Sequence, residues 1–295
     1  MPTSLRPRRS VLFMPASNAR ALEKARNLPV DGLIFDLEDA VAPDAKGAAR
    51  AGAVQALAAG NYGRREILLR VNGLTTAWGH ADLIAAAHMP IDAVLLPKVE
   101  SADAVRQAQA ILVEAGAPAQ LSIWCMIETP RGVLRVEEIA STSARVAGLV
   151  MGTADLTKDL RARHTLERLP LLTSLGLCLL AARAHGLAIL DGVHLDLADD
   201  EGFLTACRQG RDLGFDGKTL IHPKTIAAAN AIFAPSSDEV AWSRRIIAAH
   251  AEAIAAGKGI AVVDGRLVEN LHVQSAHQTV ALADAIVSLD QANRS

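Results

Sequence analysis

The sequence predicts a closed parallel (β/α)8 barrel, a TIM barrel, followed by a C-terminal extension of helix, hairpin and helix. Three observations carry that expectation. Eight short, nearly continuous apolar runs alternate with helical periodicity, the pattern of strands buried on both faces of a parallel sheet. A doubly wound sheet would want a glycine-rich nucleotide turn after its first strand, yet Met14 leads into PASNAR with no G-x-G-x-x-G. Charged groups recur where strands finish, which is where the loops of a barrel build a site.

Ser10 to Met14 (SVLFM) reads as the first strand, and apolar spacing at Ala21, Leu22 and Ala25 predicts a helix over Asn18 to Asn27. Gly32 to Leu37 is the second strand, followed by the alanine-rich helix Lys46 to Ala59. Glu66 to Val71 and Asp92 to Pro97 are the third and fourth strands, with helices Trp78 to Ala87 and Ala102 to Ala115 after them. Leu121 to Ile127 and Val146 to Met151 are the fifth and sixth, separated by a helix starting near Gly132. Ala188 to Asp191 and Gly217 to Ile221 complete the eight, with a helix from Asp200 to Leu213 between them. Gly217-Lys218-Thr219 resembles the end of a P-loop, but Asp212 stands where its first glycine belongs and the segment precedes a strand position, not a helix.

Residues 1–234 hold the barrel and residues 235–295 exceed what eight units need. Val240 to Ala256 reads as a long helix ended by Gly257 and Gly259. Ile260 to Val263 and Leu267 to Val268 flank Asp264-Gly265, a hairpin-turn signal that explains Asp264 without any chemistry. A last helix runs from about Val273 to Leu289.

Composition narrows the function classes. With 51% hydrophobic residues a large core is assured, and a net charge of −2 with 3% aromatics argues against a nucleic-acid partner. Cys125, Cys178 and Cys207 are odd in number and lack CxxC spacing, so neither a disulfide framework nor a thiolate zinc site is expected and a reducing cytoplasm is. The basic stretch MPTSLRPRRS precedes an apolar run too short for a signal-peptide core. Leu171 to Leu190 is interrupted by Arg183, His185 and Gly186, so it reads as a buried helix and strand, with no membrane span.

The strand ends carry the chemistry. Strand two ends in Asp36-Leu37-Glu38-Asp39, strand three in Arg70-Val71-Asn72, strand four in Pro97-Lys98 and strand eight in His222. Glu128 ends strand five and Asp155 follows strand six. Adjacent strands lie ~5 Å apart, so the last two acids can reach one hard, oxygen-preferring cation such as Mg²⁺. Helix capping is the plainer reading of each acid, a barrel ion pair that of Arg70, and a satisfied core histidine packed beneath the rim that of His222. Together they form a polar rim suited to chemistry that gathers negative charge on oxygen.

The segments RSVLFMPASNARALEKA, GLIFDLEDAVAPDAK, LLRVNG, VLLPKVE, IETPRGV, GTADLTKDL, GFDGKTLIHPKTI and VVDGRLVENLHVQSA span nearly the whole chain. They resemble the citrate lyase β subunit group of the HpcH/HpaI aldolase superfamily, which includes malyl-CoA, methylmalyl-CoA and citramalyl-CoA lyases. The likeness is greatest to the bacterial malyl-CoA lyase-like branch that also contains malyl-CoA thioesterases. It implies a Mg²⁺- or Mn²⁺-dependent barrel working as a homotrimer or hexamer on a CoA thioester and a keto acid. Glu128 and Asp155 match the metal ligands and Arg70 the arginine that contacts substrate oxygens. Glu38 and Asp39 match acids that order Arg70 and water at the metal. Asp264 matches a proton-handling acid that a late turn carries into a neighbouring subunit. Arg20 and Lys24, one helical turn apart, match positions near the CoA phosphates. Ala16 departs from the glycine many relatives carry in the first loop. Thr129-Pro130-Arg131 either adds a cation near the substrate or starts a helix.

The resemblance implies a carbon–carbon lyase that splits a 3-hydroxy-3-carboxy acyl-CoA into a keto acid and acetyl-CoA or propionyl-CoA, reversibly. Two alternatives stand beside it. One is a (3S)-malyl-CoA thioesterase, and the other a citrate lyase β subunit acting within a complex on an acyl-carrier protein.

Overall fold

The computed structural model describes residues 6–257 and 259–293; residues 1–5 of the basic N-terminal stretch and the end of the extension lie outside them. The chain divides into two compact units, one of residues 8–233 and one built mainly from the segment that begins at Ala234.

The larger unit is a barrel. Its strands are β1 (Ser10–Pro15), β2 (Gly32–Asp36), β3 (Glu66–Arg70), β4 (Ala93–Leu96), β5 (Ser122–Ile127), β6 (Val146–Met151), β7 (Ala188–Asp191) and β8 (Gly217–Leu220). They pair in parallel in sequence order, and β1 closes on β8 through Ser10 with Lys218, Val11 with Thr219 and Leu12 with Leu220. The expected TIM barrel is therefore the fold. The helices of its outer layer are α1 (Ala19–Ala25), α2 (Lys46–Ala59), α3 (Gly79–Ala86), α4 (Ala102–Glu114), α5 (Pro130–Leu134), α6 (Val136–Ala140), α7 (Thr153–Asp159), α8 (Leu172–Ala184), α9 (Asp200–Leu213) and α10 (Ile226–Phe233). The single helix expected near Gly132 is two short ones, divided at Arg135, and α10 has no counterpart in the sequence reading.

Alternation of side chains along each strand produces two apolar layers. Val11, Ile34, Leu68, Leu95, Trp124 and Val150 belong to a compact inner cluster. A larger cluster, including Phe35, Leu69, Leu83, Leu112 and Leu175, joins the sheet to the helices. Trp124 is fully buried, and only glycine at position 148 leaves room for its indole, since a Cβ there would stand 2.5 Å from the ring. Replacing such a side chain by alanine costs about 3–5 kcal/mol. At the N-terminal ends of the strands, Arg9 makes a bidentate pair with Asp31 and Arg8 another with Glu66. At β7 and β8 the fully buried Asp191 pairs with Lys218 and Arg168.

The smaller unit contains α11 (Ser237–Ala255), β9 (Ala261–Val263), β10 (Arg266–Val268) and α12 (Asn270–Ala292). A capping box between Ser236 and Glu239 starts α11. The strands pair antiparallel across Asp264-Gly265, whose φ values of 48° and 76° are those of the tight turn that this dipeptide favours. Ile246, Ala261, Val263, Val268 and Ala276 form its core, and the guanidinium groups of Arg245 and Arg266 lie 4.9 and 5.7 Å from the centre of the Trp242 ring. Among the described residues no helix is long and apolar enough to cross a membrane.

Candidate active site

The C-terminal ends of β2 to β5 assemble one connected cluster of charge. Asp36 and Arg70 are partners in the parallel register of β2 and β3, so their side chains leave the sheet together. Arg70 donates from Nε to Asp36 Oδ1 at 2.7 Å and from Nη2 to Oδ2 at 2.6 Å. Its Nη1 lies 3.0 Å from Glu38 Oε2 and 3.7 Å from the Met126 sulfur, and its guanidinium covers the Phe13 ring at 4.7 Å. Burial disfavours the charge on Arg70, but the bonds and charges of Asp36 and Glu38 outweigh that, holding its pKa above the ordinary value.

Lys98 extends the cluster to β5. Its backbone φ is +48°, a region few residues other than glycine adopt. In that conformation its N–H donates to Glu128 Oε1 at 2.7 Å, while its ammonium donates to Glu38 Oε1 at 2.6 Å and to Asp39 Oδ2 at 3.5 Å. Burial works against the charge of Lys98, and Glu38 and Asp39 more than restore it, so its pKa is raised. Burial likewise works against ionised Asp39, but Lys98 and Glu38 keep its pKa below the usual carboxylate range.

Glu128 is 1% exposed. Desolvation pushes its pKa up to about 7, against the opposing pull of the Lys98 amide and the Arg70 charge. The chain after β6 passes hard against it, because a Cβ on Gly152 would overlap the Glu128 Cβ and Oε2. Gly152 is the residue before α7, and Asp155 lies in the first turn of that helix with its side chain 29% exposed and Lys158 at 4.0 Å. Neither acid is explained by capping. Thr129 caps α5 through its own hydroxyl, and no side chain caps α7.

Glu128 and Asp155 are oxygen donors of the type a hard divalent cation takes. Glu128 is an acid whose buried charge lacks an equal counter-charge, its Oε2 faces the Gly152 turn, and Asp155 follows three residues later. Among the described residues no group of three or more His, Cys, Asp or Glu is arranged to hold a metal.

The other expected residues are placed as follows. Arg20 and Lys24 are both exposed on α1, while Leu22 and Ala25 of the same helix are buried. Asp264 occupies the hairpin turn of the smaller unit, where it pairs with Arg245 at 2.9 Å. His222 departs from expectation. It is exposed, not packed beneath the rim, and its Nδ1 accepts from the Lys224 N–H at 3.1 Å to start a 3₁₀ turn. Thr129-Pro130-Arg131 starts a helix, with Arg131 3.9 Å from Glu100. Asp36 and Lys98 are the connectors that sequence reasoning left without a role. Both stand at strand ends, but only the pairing of strands reveals what they hold.

A model of the family described as HpcH/HpaI aldolase/citrate lyase matches residues 9–223. The chain belongs to this family. A (3S)-malyl-CoA thioesterase of Cereibacter sphaeroides is 51% identical over 282 residues, which are 96% of each chain. A citrate lyase subunit beta of Leuconostoc mesenteroides is 34% identical, with 95% of this chain and 94% of that one covered. Among solved structures, the CitE protein of Mycobacterium tuberculosis in complex with magnesium, acetoacetate and coenzyme A is similar with a TM-score of 0.76. Its identity is 30%, covering 95% of this chain and all of that one. The matched family segment runs from before β1 to just past β8, so the whole rim cluster lies inside it.

Proposed function

We propose that this member of the HpcH/HpaI family is a divalent-metal-dependent thioesterase that hydrolyses malyl-CoA to malate and free CoA. The observation that carries the reading is the 51% identity, over 96% of both chains, to a (3S)-malyl-CoA thioesterase, against 34% to a citrate lyase subunit. Carbon–carbon cleavage, placed first on the sequence alone, becomes the second reading. It keeps support from the citrate lyase relatives and from an arginine that suits an enolate oxygen as well as a tetrahedral one.

Mg²⁺ or Mn²⁺ held by Glu128 and Asp155 would supply positive charge at the hydroxyl and carboxylate of the substrate. The protein's own groups do the rest. Asp36 uses two of the five N–H groups of Arg70 and Glu38 a third, and the remainder face at most the Met126 sulfur. Those donors can take the thioester oxygen as it gains charge when water attacks the carbonyl carbon and the thiolate leaves. Glu38 and Asp39, tied to Lys98, keep the guanidinium oriented. Asp264 is assigned the proton-handling role from a neighbouring copy, Arg20 and Lys24 the CoA phosphates, and the assembly is a homotrimer or hexamer without an acyl-carrier protein.

Purified protein incubated with malyl-CoA and Mg²⁺, with glyoxylate and free thiol recorded separately, tests this. Thiol without glyoxylate, lost on adding EDTA, is the expected result. Glyoxylate without thiol would replace hydrolysis by the lyase reading, and neither product would reject malyl-CoA as the substrate.

A further inference from the structure

Alternation along β5 puts Trp124 and Met126 in the inner apolar cluster of the barrel. Met126 precedes Glu128 by two positions, where the apolar interior gives way to the charged rim. Its backbone is fixed, since the Val99 N–H donates to its carbonyl at 3.2 Å, and the residue is buried. Its side chain is unbranched and adaptable. The sulfur lies 3.7 Å from Nη1 of Arg70.

The acceptors around Arg70 are unequal. Asp36 and Glu38 take N–H groups with carboxylate oxygens at 2.7, 2.6 and 3.0 Å, and the guanidinium lies over the Phe13 ring, 4.7 Å from its centre. The Met126 sulfur receives a further N–H of Nη1, and a thioether is a weak acceptor. A carboxylate or amide oxygen in that position would hold the donor firmly, and a hydrocarbon would leave it buried without a partner. The thioether does neither. It occupies the place of an acceptor, and little is lost when it is displaced. A substrate oxygen that gains negative charge on the way to the transition state outcompetes it, and the interaction then favours the transition state over the ground state.

We propose that Met126 is a positioning residue, which keeps one donor of Arg70 available to the reacting oxygen of the substrate by holding it weakly. The inference rests on the reading of Arg70 as the group that meets that oxygen, and it applies to hydrolysis and to carbon–carbon cleavage alike.

Two substitutions separate acceptor strength from packing. Met126→Leu removes the sulfur while conserving volume and apolarity, and Met126→Gln brings a strong acceptor on a side chain of similar length. Turnover of malyl-CoA with Mg²⁺, read as thiol or glyoxylate, is expected to fall about tenfold to a hundredfold in kcat for Met126→Gln, with KM unchanged. Met126→Leu is expected to stay within about threefold of the parent. A spectroscopic arm needs no turnover. The Arg70 Hη protons, assigned in nitrogen-15-resolved NMR spectra by their loss in Arg70→Lys, are expected to move downfield in Met126→Gln and not in Met126→Leu, because a stronger hydrogen bond deshields its proton. Should Met126→Gln fold poorly by circular dichroism, Met126→Asn carries the test, since its carbonyl oxygen is as many bonds from the backbone as the sulfur. Parental kcat in the amide variant would overturn the role, and so would equal losses in the amide and leucine variants, which would reduce Met126 to packing. A parent that makes neither product would overturn the malyl-CoA reading alone. The role of Met126 then falls if the Hη signals of the parent and the amide variant coincide, and stands if they differ.

Discussion

Arg70 and Asp36 form a two-bonded pair at the ends of adjacent strands, with donor–acceptor distances of 2.7 and 2.6 Å and the carboxylate 1% exposed. Asp36→Asn removes the charge and one of the two acceptors, leaving a buried guanidinium half paired. Stability should fall by about 3 kcal/mol, read in denaturant titration, and kcat/KM about tenfold to a hundredfold. Unchanged kinetics would show that Arg70 does not depend on Asp36 for its orientation.

Glu128 predicts a pH dependence of defined sign. Its pKa is raised from 4.5 to about 7 by burial, so between these values the folded, metal-free chain keeps a proton that the unfolded chain releases. Stability therefore declines as pH rises through that window, by about 3 kcal/mol in full. Metal-free Glu128→Gln should melt higher than the parent at pH 8, by roughly 5–10 °C, and alongside it at pH 5. Added Mg²⁺ should stabilise the parent more at pH 8 than at pH 5. Matching melting curves for parent and variant at pH 8 would refute a strained buried carboxylate.

Lys98 serves two acids with different atoms. Lys98→Met keeps the N–H that Glu128 accepts and removes the ammonium held by Glu38 and Asp39. The expected outcome is a loss of about tenfold in kcat/KM, with Mg²⁺ affinity little altered. Without Lys98 the Asp39 pKa rises, so any acid limb of the pH–rate profile that reports Asp39 moves to higher pH. An unaltered profile would confine Lys98 to its backbone role.

Gly152→Ala puts a methyl group where the Glu128 side chain lies. The overlap is with the buried Glu128 side chain, including its Cβ, so relief requires movement of the turn that leads to Asp155. Destabilisation of about 1–3 kcal/mol and weakened Mg²⁺ binding are expected by denaturant titration and calorimetry. A variant with parental metal affinity would detach the turn from the metal site.

The fold was largely legible because strands covered on both faces must be apolar throughout, and SVLFM, GLIFD and VAGLVM each state this locally. Helix α10 was not, because IAAANAIF is mostly apolar at every spacing and lacks a helical stripe. The rim acids were visible one at a time, while their partners were hidden in tertiary structure. Nothing within strand two says that Asp36 faces Arg70, since the register between strands decides it. Lys98 was hidden by its backbone, for a positive φ at lysine has no sequence signature and only that turn brings its N–H to Glu128. His222 was misplaced because a histidine at a strand end reads alike whether it packs inward or, as here, stands in solvent and starts a turn.

The three tryptophans are distributed so that each region has one optical reporter. Trp124 is sealed in the barrel interior, Trp78 lines a cavity beside the rim, and Trp242 packs against two arginines in the smaller unit. A buried indole emits to the blue of a solvated one, so chains retaining a single tryptophan give separate fluorescence signals. Loss of the barrel core, filling of the cavity and melting of the C-terminal segment become three distinguishable events in one cuvette, with no label attached.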